Sequence, residues 1–149
     1  MAYTASKVGA YKRIGVETAS QGKLIVMLFS GAIQRAEEAR RLLDTGSRDG
    51  VHNNLIRAQE IIAGLRGALN MDVGEVSRNL DRIYEYIHHL LIQANIRKDS
   101  KPIVEALTHL GSMREMWIDA FEKVAQEESG APVAPVYNRQ GDGLINIQG

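Results

Sequence analysis

Asn79-Leu80-Asp81-Arg82-Ile83-Tyr84-Glu85-Tyr86-Ile87, running on to Leu91-Ile92-Gln93-Ala94-Asn95, decides how the chain is read. Leu80, Ile83, Tyr84, Ile87, Leu90, Leu91 and Ala94 recur at steps of three and four, the period of one face of an α-helix. Strands alternate at a period of two, and no stretch of this chain does so with any strength. Tyr86, Ile92 and Ile96 fall off the main face. Apolar surface beyond a core stripe is what a docking surface for another chain looks like, so this helix points to binding rather than chemistry.

The same period extends in both directions. Upstream, Ser20 is the expected N-cap of a helix that takes in Leu24-Ile25-Val26-Met27-Leu28-Phe29 and continues through Ala32, Ala36 and Ala39 to Leu43. Asp44-Thr45-Gly46-Ser47 stops it. A second helix is expected from about Asp49, with Val51, Leu55, Ala58, Ile62, Leu65 and Leu69 as its stripe. Asn70 and Gly74 bracket a break, and the helix quoted above runs from about Glu75 to Lys98. Asp99 or Ser100 caps a fourth, with Pro102 tolerated in its first turn. Its stripe is Ile103, Leu107, Leu110, Trp117, Phe121 and Val124, with Arg114 at a core-type position. Connections this short make consecutive helices antiparallel. The expected fold is all-α: an antiparallel up-down four-helix bundle over 19–128, with a short N-terminal arm over 1–18. After Ser129, Gly130, Pro132, Pro135, Gly141 and Gly143 punctuate a stretch without amphipathic period. A flexible, disordered C-terminal tail is expected over 129–149.

Composition narrows the function. The 149 residues carry 18 Lys+Arg and 18 Asp+Glu, a formal net charge of zero, which gives no field to gather nucleic acid or an anionic membrane. There is no cysteine, which excludes disulfide frameworks and thiol catalysis. The longest apolar run, Leu24 to Phe29, is far short of the ~18 residues a membrane span requires, so no stable membrane insertion is expected and a cytoplasmic location is.

Little here supports catalysis. Glu85-Tyr86-Ile87-His88 has the Glu-x-x-His spacing of a di-iron carboxylate bundle, but such a site needs two of these motifs and two further inward carboxylates. Glu37, Glu38 and Glu60 read as solvated charges, so no metal, catalytic residue or cofactor is expected. A histidine phosphotransfer bundle is the alternative nearest to an enzyme. Neither His88 nor His109 is followed by the Lys-Gly pair that such domains place beyond their histidine. Ser30 and Ser112 read as helix hydroxyls bonded to a preceding carbonyl. Arg114 has two readings. Its head could snorkel to a carboxylate at the bundle edge, Asp72 or Glu75, or it could bind a partner's backbone or carboxylate.

The off-stripe apolar residues are the candidates for function. They are Val26 and Ile33 on the first helix, Ile56 on the second, Tyr86 and Ile92 on the third, and Val104, Met116 and Ile118 on the fourth. Together they predict a groove that buries a helical or extended peptide. The same surface could instead close a homodimer, leaving a self-associating structural bundle as a further alternative. Tyr3, Val8 and Tyr11 of the arm are the expected intramolecular cover.

In order along the chain, Tyr3-Thr4-Ala5-Ser6, Ala10-Tyr11, Met27-Leu28-Phe29-Ser30-Gly31-Ala32, Ala58-Gln59-Glu60-Ile61-Ile62, Gly74-Glu75-Val76, Asn79-Leu80, Ile83-Tyr84-Glu85-Tyr86, Gln93-Ala94-Asn95 and Met113-Arg114-Glu115-Met116-Trp117 resemble the flagellin-specific export chaperones, the FliS family. No one of these is specific; the ordered set, covering Met1 to about Lys123, is. Ser30 stands where the family usually has Asp, Gln21 where it often has Pro, and the tail is longer than its usual ends. The resemblance implies a cytoplasmic chaperone of flagellar type III export. It would bind the disordered C-terminal segment of flagellin and prevent premature polymerisation, the segment wrapping around the bundle. It further implies contacts with the flagellar export gate and other flagellar regulators, and no enzyme activity.

Overall fold

The computed structural model describes residues 19–126. Four helices account for nearly all of them: α1 Ala19–Thr45, α2 Arg48–Gly67, α3 Glu75–Arg97 and α4 Ser100–Gln126, with a short 3-10 turn at Met71–Val73. The expected arm, with Tyr3, Val8 and Tyr11, and the expected tail lie outside the described residues.

The turns form for local reasons. Gly46 ends α1 at φ +81°, a conformation that suits glycine. Ser47 then caps α2, its hydroxyl accepting from the Gly50 amide at 3.3 Å. Asn70 Oδ1 accepts from the Asp72 amide at 3.0 Å to start the 3-10 turn, and Gly74 at φ +104° swings the chain into α3. Ser77, fully buried, ties α3 back to this connection by donating to the Asn70 carbonyl at 2.8 Å. Lys98, left-handed at φ 51°, closes α3, and its ammonium donates to the Asn95 carbonyl and Oδ1 at 2.6 and 2.7 Å. Asp99 Oδ1 accepts from the Lys101 amide at the start of α4. Ser20, expected as a cap, is instead inside α1, which begins at Ala19.

Helix α1 packs on α2 and α4, and α3 packs on the same two, so α1 and α3 stand on one diagonal of a square. Cross-helix pairs fix the directions. Between α2 and α3 they step from Arg66–Asp81 to His52–Asn95, numbers falling on one helix and rising on the other. Between α3 and α4 they step from Tyr86–Glu105 to Tyr84–Trp117 in the same sense. Both pairs are antiparallel.

Three helices contribute aromatics to the core. Trp117 of α4, Tyr84 of α3 and Phe29 of α1 are all fully buried; the Trp117 indole N–H donates to the Tyr84 hydroxyl at 3.1 Å, and the Phe29 and Tyr84 rings lie 5.8 Å apart. Each large side chain buried this way contributes on the order of 1.5–3 kcal/mol. Farther along α1, Ala32, Ala36 and Ala39 present only methyl groups, and all three are buried.

Two stripe assignments shift. On α4 the buried positions are Ile103, Ala106, Leu110, Met113, Trp117, Ala120 and Val124, a strict alternation of steps of three and four. Leu107 and Phe121 are half-buried beside it, and Met113 takes the core position expected for Arg114. On α3, Ile83 is 37% exposed and belongs to the edge rather than the core. Both errors come from weighting residue size over rotation. Small Ala106 and Ala120 carry a weak hydrophobic signal, yet the three- and four-residue rhythm of the buried face places them inward.

Candidate partner-binding surface

None of the eight described candidates is buried: Tyr86 and Val104 are exposed, and Val26, Ile33, Ile56, Ile92, Met116 and Ile118 are half-buried. They do not line one groove. The register sorts them onto three seams between helices.

The α1/α4 seam collects four of the eight, Val26, Ile33, Val104 and Ile118. Its fixed point is Arg114, whose Nε donates to the Ser30 hydroxyl at 2.7 Å. The helices run in opposite directions, so stepping away from this bond sets Val26 level with Ile118 at one side and Ile33 level with Gly111 at the other. A Cβ on Gly111 would meet nothing within 4 Å, which makes this glycine a notch in the seam wall. Farther on, Ile33, Glu37, Arg40, Asp44, Ser100 and Val104 line an open groove of about 710 Å³. Val26, Ile33 and Leu107 rest on the core with their outer faces in solvent. Ile33 and Val104 are the apolar members of the groove's lining, which Gln34, Glu38 and Arg41 complete; its charges are in part already paired, as Glu37 is with Arg40 at 3.1 Å.

Arg114 does not reach Asp72 or Glu75; the register between α1 and α4 puts Ser30 opposite it instead. Ser30 in turn accepts from a guanidinium rather than being engaged only with its own helix. No ion pair among the described residues includes Arg114. The half-buried Arg114 is thus held across the seam by a neutral hydroxyl, with Gly111 and Ile118 one turn away on its own helix.

The α3/α4 seam holds Tyr86 and Met116. The Tyr86 hydroxyl donates to the Glu105 carboxylate, and its ring meets His109 edge-on at 5.5 Å. Glu105, accepting that bond, holds the Tyr86 hydroxyl above the usual range, with desolvation and the carboxylate charge adding to it. Ile83 and Val76 extend this strip along α3, each 37% exposed.

The α2/α3 seam holds Ile56 and Ile92, set close to one level by the His52–Asn95 pair, but it is mainly polar. Arg66 donates to Asp81 at 2.7 Å and to Glu85 at 3.2 Å. His88 is half-buried there; desolvation first, and the Arg66 charge second, push its pKa below the ordinary 6.5. Glu85 of the Glu-x-x-His spacing is therefore engaged with a cation. Among the described residues no group of three or more His, Asp or Glu side chains is arranged to hold a metal, and no helix is long and apolar enough to cross a membrane.

Sequence reasoning passed over Met27, 56% exposed, which lines a hollow between α1 and α2 with Gly31, Arg35, Arg57 and Ile61. A signal existed: the continuous run Leu24 to Phe29 goes right round a helix, so part of it must face out.

Comparison with known proteins adds kinship to this geometry. Residues 4–124 match the family described as flagellar protein FliS. A flagellar secretion chaperone FliS of Salmonella typhimurium is 36% identical over 133 residues, spanning 85% of this chain and 98% of that protein. Those of Bacillus subtilis and Escherichia coli are 30% and 32% identical, covering 82% and 80% of this chain and 91% and 92% of their own lengths.

Proposed function

The chain belongs to the FliS family of flagellar proteins, and from that premise we propose that it is a cytoplasmic secretion chaperone for flagellin. It binds the disordered C-terminal segment of newly made flagellin, prevents its premature polymerisation and holds it for type III export. It performs no chemistry. The observation that carries this reading is the pair of apolar seams flanking α4, with Val26, Ile33, Val104 and Ile118 on one side and Ile83, Tyr86 and Met116 on the other. A lone helix fills one such seam; a long segment folding as it binds fills both by wrapping around α4.

Binding of this kind buries roughly 1,000–3,000 Å² and spends roughly 2–5 kcal/mol on ordering the client. Shallow contacts spread over two seams suit a protein that must later release its cargo. The N-terminal arm, through Tyr3, Val8 and Tyr11, covers part of this surface until client displaces it. The export gate and other flagellar regulators are the further partners.

Calorimetric titration with flagellin's C-terminal segment tests the proposal. Heat that saturates, and that disappears when the segment is deleted from flagellin, is expected. No heat, together with a concentration-dependent doubling of mass, would assign the seams to self-association instead.

A further inference from the structure

We infer that the hollow between α1 and α2 is a second docking site, fitted to an acidic amphipathic helix of another protein and separate from the seams that flank α4. Met27, Leu28, Gly31 and Ile61 are its apolar lining, around a volume of about 200 Å³. Leu28 is buried, whereas Met27 stands 56% exposed. A Cβ on Gly31 would meet Ile61 Cδ1 at 3.7 Å, so the missing side chain is part of what leaves the space. An aliphatic side chain of a partner would fill it.

Charge selects the partner. Among the described residues that line the hollow, the charged ones are two guanidiniums, Arg35 and Arg57, with no carboxylate; Gln34 is the remaining polar group. Arg35 donates to the neutral Asn54 Oδ1 at 3.4 Å. Arg57 is paired with Glu60 of its own helix at 3.4 Å, with both side chains more than a third exposed. Solvent screens such a pair, so a partner's carboxylate can replace it at little cost. The other seams differ. The α1/α4 groove carries both signs of charge, Glu37, Glu38 and Asp44 beside Arg40 and Arg41, and the α2/α3 seam engages Arg66 with Asp81 and Glu85.

Register brings the two arginines together. Across this seam Gly31 faces Ile61 and Leu42 faces Gly50, numbers rising on α1 as they fall on α2. Arg35 and Arg57 are each four residues from the Gly31–Ile61 level, and in antiparallel helices those two steps run the same way. Both therefore stem from one level, about 6 Å toward the α1/α2 turn, one on each wall. Met27 stems from about 6 Å in the opposite direction. A helix lying in the seam matches this pattern with an apolar residue over Gly31 and Asp or Glu one turn on, at three- and four-residue spacing.

The site stands on the hollow and its charges; only simultaneous occupancy with client rests on the function proposed above. Helix α2 is diagonally across the bundle from α4, so a client wrapped around α4 leaves the hollow open.

The probes are two synthetic helical peptides sharing one leucine stripe, flanked in one by glutamates and in the other by lysines. With the full chain, the glutamate peptide should shift the Met27 and Ile61 methyl resonances and leave those of Ile83 and Met116 in place, and added salt should weaken it. Reversing both charges, Arg35→Glu with Arg57→Glu, should lower its affinity about tenfold and turn the preference to the lysine peptide, a reversal that a destabilised fold does not produce. No shift with either peptide, equal binding of the two, shifts centred on Ile83 and Met116, or an unchanged preference in the reversed chain would overturn the inference. So would Met27 shifts that grow with protein concentration alone, which mark a second copy. Flagellin's C-terminal segment, added next, should leave the affinity for the glutamate peptide unchanged. Competition between them would give the hollow to the client's path, ending the second site and keeping the chaperone reading. Glutamate-peptide binding in a chain that takes up no flagellin would do the reverse.

Discussion

Val104→Asp separates a seam from mere exposure. Val104 is 46% exposed, so roughly half of its side-chain burial remains for a client to complete, about 0.7–1.5 kcal/mol. Setting a carboxylate against an apolar client adds about 1–3 kcal/mol of unmatched desolvation. The sum, about 2–4 kcal/mol, weakens binding by between about thirtyfold and several hundredfold. Folding should hardly notice. Surface substitutions usually stay within about 0.5 kcal/mol, and position 104 lies near the start of α4, where an acidic side chain suits the helix dipole. The control is Ile96→Asp. Ile96 is 71% exposed, more than Val104, but it points away from the seams on α3. Near the C-terminus of α3 an acid costs about 0.3–1 kcal/mol, so the control is the harsher change for stability. Calorimetry with flagellin's C-terminal segment, paired with urea unfolding of each variant, reads both quantities. Ile96→Asp weakening binding as much as Val104→Asp, or Val104→Asp binding normally, would refute the seam argument.

Two glycines should respond oppositely to alanine. Gly74→Ala forces φ +104° on a residue with a Cβ and should cost about 1–3 kcal/mol by urea denaturation, although space is open around it. Gly111→Ala, helical and equally open, should add about 0.5–1 kcal/mol, whereas Gly111→Leu should fill the notch and lower client affinity in the same titration. His88 makes stability depend on pH. Its folded pKa lies below the unfolded value of about 6.5, so the unfolded chain binds more protons. Stability is then fully present above about pH 6.5 and falls as pH drops toward the folded pKa, and a pH series of urea midpoints should lose that slope in His88→Leu. Arg66→Met should raise the His88 pKa, followed by NMR, and cost no more than about 1 kcal/mol, because its ion pairs with Asp81 and Glu85 are partly exposed.

The α2 stripe Val51, Leu55, Ala58, Ile62 and Leu65 is buried throughout, Leu69 is buried just beyond the helix, and Gly46, Ser47, Asn70 and Gly74 punctuate the chain where the helices break. These features were legible because period and turn chemistry are local: three- and four-residue spacing and a glycine-favouring φ are fixed within a few residues of chain. The same locality made the surplus apolar residues visible, since a wheel shows which side chains one stripe cannot contain. It could not say which neighbour each would face. That Val26 joins Ile118 while Tyr86 and Met116 share another seam, and that Arg114 meets Ser30 rather than Asp72 or Glu75, depends on the register between helices far apart in sequence. Register is set by the packing of Phe29, Tyr84 and Trp117 in the shared core, a property of all the helices together.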